Sequence, residues 1–200
     1  MSTPANGRGT ARSGPRSPTA AELAAAVDRT IPDVIAPGLA VLFRGINPGL
    51  WSAAKGQHFA RPGNRFWPAL HRGGFTDRLL RPDQQTELLS DGLGVTNVAA
   101  RATARADQLA DVELVAGAGI LLRKVRRLRP RWVAVLGIGA YRTAFGAVNA
   151  RFGWQDERLG TARIWVLPNP SGLNAHYTLP RLSEEFAALR QAVEREAAAP

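Results

Sequence analysis

Two apolar segments of this chain end in nearly the same rigid turn, and that repetition limits the folds open to it. Val41-Leu42-Phe43-Arg44 runs into Gly45-Ile46-Asn47-Pro48-Gly49, and Ile164-Trp165-Val166-Leu167 runs into Pro168-Asn169-Pro170-Ser171-Gly172. Pro and Gly stop a strand abruptly, and Asn tolerates the backbone that follows. Each turn holds an uncharged amide at a strand end. If the strands are parallel neighbours, both amides face one crevice at the carboxyl edge of a sheet. Two preorganised amides with no obvious acid beside them point to a site that positions a water and a leaving group.

The segments around these turns alternate between strand and helix. A helix is expected over 19–29 and a buried strand over 39–44. A long loop follows over 50–63, with a short helix after Asn64 over 65–71. Another helix starts at Arg81-Pro82 and runs through Leu89, and 94–97 reads as a short strand. Asp111 is read as the cap of a long helix to Leu128, whose stripe Leu114, Ala118, Leu121, Val125 and Leu128 has helical spacing. Trp132 to Leu136 is a strand and 140–145 a short helix. A Gly160-Thr161 turn joins the arms of a hairpin, and the last helix spans 180–197. This order implies a three-layer α/β/α sandwich with a mainly parallel sheet. The domain reading is a basic arm over 1–18, too poor in apolar residues to order itself, and one domain over 19–200.

Charge sharpens the functional reading. The net charge is +10, from 26 basic and 16 acidic residues, and lysine occurs only at Lys55 and Lys124. No carboxylate lies between Val34 and Thr76 or between Arg158 and Ser183, and both Asn-Pro turns sit inside these stretches. A polyanion can approach either turn without local repulsion. The densest basic run, Arg123 to Arg131, closes a helix and precedes a strand, which places it at the opposite edge of the sheet. The chain has no cysteine, which excludes disulfides, thiolate metal sites and cysteine-ligated clusters. No metal-ligand spacing and no cofactor motif is present. Gly137-Ile138-Gly139 fails as a dinucleotide fingerprint because Arg142 stands where a third glycine belongs. The absence of an apolar signal core or of a membrane-length apolar run leads us to expect a cytoplasmic, nucleoid-associated protein with no membrane partner.

Residue chemistry then nominates candidates. The Asn47 oxygen can hold a water while its NH2 donates to a carbonyl, but the group cannot act as a strong base. Phe59 is either a core aromatic or a platform for a flat base. His58, alone on a loop, is read as exposed and is given no catalytic part. Leu173 follows a stiff turn and either wedges into a base stack or folds back onto the core.

Several motifs in order resemble those of a known family. They are Gly45-Ile46-Asn47-Pro48-Gly49-Leu50, His58-Phe59-Ala60-Arg61-Pro62-Gly63-Asn64-Arg65-Phe66-Trp67, Gly94-Val95-Thr96-Asn97 and Leu167-Pro168-Asn169-Pro170-Ser171-Gly172. Together they look like the bacterial mismatch-specific uracil-DNA glycosylases, relatives of the thymine-DNA glycosylases, with similarity from about Pro37 to Ala192. The resemblance implies the uracil-DNA glycosylase fold and a monofunctional, cofactor-free enzyme of base excision repair. Such an enzyme flips uracil from mismatched duplex DNA and hydrolyses its N-glycosidic bond. It implies that Asn47 orients the water, that Phe59 stacks on the base, that backbone near Ile46 reads its edge, and that Asn169 touches the leaving base. Lys55, Ser171, Gly172, Leu173, Asn174 and His176 make up the implied DNA-contacting set. The implied partner is double-stranded DNA with a G:U or related mismatch, met by a monomer. Two departures stand out: Ala175 occupies a place where some relatives carry arginine, and Trp51 replaces a smaller residue. Two other classes remain open on the residues alone, a non-catalytic module that holds damaged DNA and a hydrolase of small nucleotides.

Overall fold

The fold is described from a computed structural model over residues 16–198, so most of the expected N-terminal arm lies outside the described residues. Five strands form one sheet in the order β2-β1-β3-β5-β4. They are β1 (Val41–Gly45), β2 (Leu93–Asn97), β3 (Trp132–Leu136), β4 (Gly153–Leu159) and β5 (Ala162–Leu167). All neighbouring pairs are parallel except β4 and β5, an antiparallel hairpin whose register slips between Gln155 and Arg158. The three-layer, mainly parallel expectation agrees with this arrangement.

Side-chain alternation along the strands builds two cores, one on each face. Val41 and Phe43 of β1 join Trp132, Ala134 and Leu136 of β3 beneath α3 (Phe66–Arg72) and α6 (Leu179–Ala197), where Phe66, Leu70, Phe186 and Leu189 are buried. Leu42, Val133, Val135, Ile164 and Val166 point the other way. They meet Leu121 and Val125 of α4 (Asp111–Leu128) and Tyr141 of α5 (Ile138–Phe145). The expected α4 stripe is buried at all five positions. Arg44 interrupts this pattern. Its side chain is fully buried, none of its three nitrogens has a hydrogen-bond partner among the described residues, and its guanidinium lies 5.9 Å from the Phe145 ring centre.

Three local expectations need correction. The stretch 50–63 is not all loop, because Leu50–Lys55 forms helix α2 between Gly49 and the left-handed Gly56. Its Ala53 packs with Ala26 and Ala102, so tertiary burial holds a short alanine-containing helix that is marginal alone. The first helix is shorter than expected: α1 covers Ala20–Ala24, capped reciprocally by Thr19 and Glu22. Asp111 is the first residue of α4 rather than its cap. The carboxylate that reaches back is Glu113, which accepts from the Ala110 N–H at 2.9 Å.

Candidate active site

The carboxyl ends of β1 and β5 do not touch, because β3 lies between them. The two Asn-Pro turns nevertheless line one cavity of about 160 Å³ at that edge, with Ile46, Asn47, Phe59, Asn97, Thr103, Asn169, Ser171 and Leu173 in its wall. Strand adjacency was therefore the wrong requirement. Parallel strands flanking a common neighbour end at the same edge, and that suffices.

Past β1, the chain stays paired with the segment that follows β2. Val98 N–H donates to Gly45 O, Ala99 N–H to Ile46 O and Thr103 N–H to Pro48 O. This zipper carries two acceptors up to Asn47. Its Nδ2 donates to the Arg101 carbonyl at 3.0 Å and to the Thr103 hydroxyl at 2.7 Å. The hydroxyl proton is itself committed to Arg105 O at 2.7 Å, so the group facing it must be a donor. Both contacts thus set the amide orientation, and Oδ1 is the atom left for the cavity. The Arg101 side chain locks the same segment. It bonds Glu113 at 2.5 and 2.8 Å, Asp28 at 3.2 Å and Gln108 O at 3.0 Å. The Arg101 bonds hold the Glu113 carboxyl down to about 2.

Asn169 has the opposite polarity. Its Oδ1 accepts from the Ser171 N–H at 3.0 Å, an Asx turn, which leaves Nδ2 as the free group. The cavity is therefore lined by one amide with an acceptor to offer and another with a donor.

Phe59 forms a wall between them. It is stacked on Phe66 at 4.1 Å with 24° between the rings, and its backbone has φ of +54°. A bulky residue there is strained by about 1–3 kcal/mol and persists only when its surroundings hold it. They do so on both sides. His58 N–H donates to Gln85 Oε1 at 2.8 Å, Trp67 Nε1 to His58 O at 3.2 Å, and Ala60 N–H to Ser52 Oγ at 3.1 Å.

His58 is 1% exposed, which corrects the expectation of an exposed loop histidine. Nε2 meets Pro32 O at 3.0 Å and so carries the proton, and burial pushes the imidazole pKa below its usual 6.5. Nδ1 is then an acceptor for Asn97 Nδ2 at 3.5 Å. That contact turns Asn97 Oδ1 toward Gly45, its register partner on β1. A methyl group on Gly45 would stand 2.5 Å from this oxygen and 3.3 Å from the Phe59 ring.

The second Asn-Pro loop is clamped. The Arg65 guanidinium donates to the carbonyls of Ser171, Asn174 and Tyr177, and the Arg65 N–H donates to Pro170 O at 2.9 Å. Asn174 serves inside the loop rather than on the cavity wall: Nδ2 donates to Asn169 O at 3.0 Å and Oδ1 accepts from His176 N–H at 3.1 Å. Leu173 stands out from this frame, 71% exposed, and does not fold back. Gly172 lies against Gly63, and His176 is exposed beyond the cavity. Lys55, on α2, also lies off the cavity, with its ammonium donating to the Arg16 carbonyl.

Asn97, Thr103, Arg101 and His58 complete the site, although sequence reasoning gave them no part in it. Of these, His58 and Asn97 stood in the motifs that carry the resemblance, and Asn97 also as a polar residue ending a strand. Among the described residues no group of three His, Cys, Asp or Glu side chains is placed to hold a metal ion. No helix among them is long and apolar enough to cross a membrane.

Comparison with known proteins bears on the family and the fold. A family model described as "Uracil DNA glycosylase superfamily" matches residues 32–194. A solution NMR structure from Methanosarcina acetivorans, itself only provisionally assigned as a uracil DNA glycosylase, matches with a TM-score of 0.57 at 22% identity. The match covers 84% of this chain and 99% of that one. At that identity the likeness concerns the fold.

Proposed function

The chain belongs to the uracil DNA glycosylase superfamily, and from that premise we propose that it is a monofunctional glycosylase of the mismatch-specific bacterial kind, removing uracil from G:U-containing duplex DNA. The target sugar carbon is shielded inside a duplex, so the nucleotide must leave the stack. The exposed Leu173, on a loop braced by Arg65, suits the space that nucleotide vacates, and Phe59 offers the extruded base a flat face.

Hydrolysis then needs two unlike things from the cavity. As the glycosidic bond stretches, the sugar becomes cationic and the base anionic. The free Nδ2 of Asn169 is a donor suited to the leaving anion, where charge develops. The free Oδ1 of Asn47 is an acceptor that holds a water's proton and aims its lone pair at the sugar carbon. Asn97 Oδ1, aimed by His58, is an acceptor for an N–H on the pyrimidine edge. No residue shuttles a proton in this scheme: the departing base keeps the electron pair of the broken carbon–nitrogen bond, the water's oxygen bonds the sugar carbon, and the proton it loses passes to solvent or to the base anion. The scheme therefore favours bases that leave well as anions, uracil among them.

The observation that carries the reading is the opposite polarity of the two amides in one cavity. Incubation with a uracil-containing duplex, followed by alkaline cleavage at abasic sites, tests it. Cleavage that depends on uracil is expected. Tight binding without abasic sites would instead leave a non-catalytic damage-binding module.

A further inference from the structure

A second recess, of about 250 Å³, lies beside the base cavity between two loops. Arg61, Pro62, Gly63 and Asn64 form one wall, and Ser171, Gly172 and Leu173 the other. Arg61, Asn64, Ser171 and Leu173 belong to both cavities, so they form the rim between them. We infer that this recess is a phosphate subsite, in which Arg61 grips the DNA phosphodiester beside the flipped nucleotide.

The inference deepens the proposed glycosylase reading and rests on it. A base seated against Phe59 is tied to a backbone that has to cross the shared rim beside Leu173. Arg61 stands exposed there. Arg65, four residues along, has its guanidinium committed to loop carbonyls, whereas the Arg61 guanidinium has no hydrogen bond or ion pair among the described residues. Both walls come from the acid-free stretches of the chain, so no carboxylate of either stretch competes for the guanidinium. A guanidinium fork suits a phosphate's oxygens.

The walls also select against a base. No aromatic ring among the described residues lines the recess, so a nucleobase would find nothing there to stack on. Glycines bring the loops together: a methyl on Gly172 would stand 2.6 Å from Gly63 O, and Gly63 has φ of +81°. Arg65 ties the same two loops, so the recess does not depend on DNA to form it. It has room for several waters at about 30 Å³ each, enough for a hydrated phosphate.

Binding to an uncleavable duplex, bearing a 2′-fluoroarabino-uridine opposite guanine, tests the assignment with the full chain. Single neutral methylphosphonates are placed in turn at each phosphate near the uridine. Arg61→Gln should weaken binding several-fold and lower the salt dependence by about one phosphate contact. At one flanking position, the methylphosphonate should weaken the wild-type protein by the same factor and cost Arg61→Gln nothing more. Losses that multiply at every position, or an unchanged salt slope, would overturn the subsite. Inorganic phosphate should compete with DNA no better than chloride at equal ionic strength. Specific competition lost in Arg61→Gln would mark a free-anion site instead and overturn the assignment to DNA. Because binding is the readout, the coupling can hold in a protein that excises nothing, in which case only the catalytic reading falls.

Discussion

The side-chain nitrogen of Asn47 lies 2.7 Å from the hydroxyl of Thr103, which itself donates a hydrogen bond to Arg105 O. This pair of bonds decides which atom of a symmetric-looking amide faces the cavity. Losing it frees the amide to rotate. Thr103→Val keeps the shape and removes the hydroxyl, so single-turnover uracil excision should slow by about 10- to 100-fold. DNA affinity, measured by anisotropy, should stay within about twofold.

Gly45 is a second point of leverage, because the floor of the cavity closes over it. Gly45→Ala puts a methyl 2.5 Å from Asn97 Oδ1, so the amide and the Phe59 ring must both give way. The expected result is a loss of kcat/KM of at least about tenfold, with a stability cost of about 1–3 kcal/mol from overpacking. Steady-state kinetics and denaturant melts check the two parts separately.

His58 makes stability depend on pH in a definite direction. Burial lowers its folded-state pKa below the ordinary 6.5, so the unfolded chain binds the proton more readily. Its contribution is complete well above pH 6.5 and is lost as pH falls through and below that value. Urea melts from pH 7.5 down to 5 should therefore show a decline that His58→Gln reduces. Equal declines in the two proteins would assign the loss to other groups.

Arg44 carries a buried charge with no hydrogen-bond partner among the described residues. Burial pushes its pKa down to about 9, so the group is still charged at neutral pH, and no acceptor among the described residues meets it. Replacing an uncompensated buried charge with an apolar chain of similar length removes a desolvation penalty. Arg44→Met should raise the unfolding free energy by about 1–4 kcal/mol. A lowered melting midpoint would mean that the guanidinium is compensated in the folded protein.

How much of this was legible in the sequence follows from the range of the forces involved. The bounds of β3 came through because it is one continuous apolar run between Arg131 and Gly137, and the buried stripe of α4 because one face repeats at the helix period. The twin turns came through because Pro, Gly and Asn act locally. α2 was missed although Gly49 and Gly56 bracket it, since six residues show too little periodicity to outweigh a loop reading. The amide orientation was out of reach. Asn47 meets partners 54 and 56 residues away, and nothing in either segment alone announces the meeting. The burial of His58 depends likewise on Pro32 and Gln85 arriving from other elements. Tertiary contacts of this kind decide which polar atoms stay free, and free polar atoms are what a site consists of.

The central claim is that a neutral amide, held by Arg101 and Thr103, aims the attacking water. Single-turnover excision from a G:U duplex by Asn47→Ala tests it most directly. The account predicts a rate at least about 100-fold below wild type, with DNA affinity nearly unchanged. A rate within about threefold of wild type would contradict it.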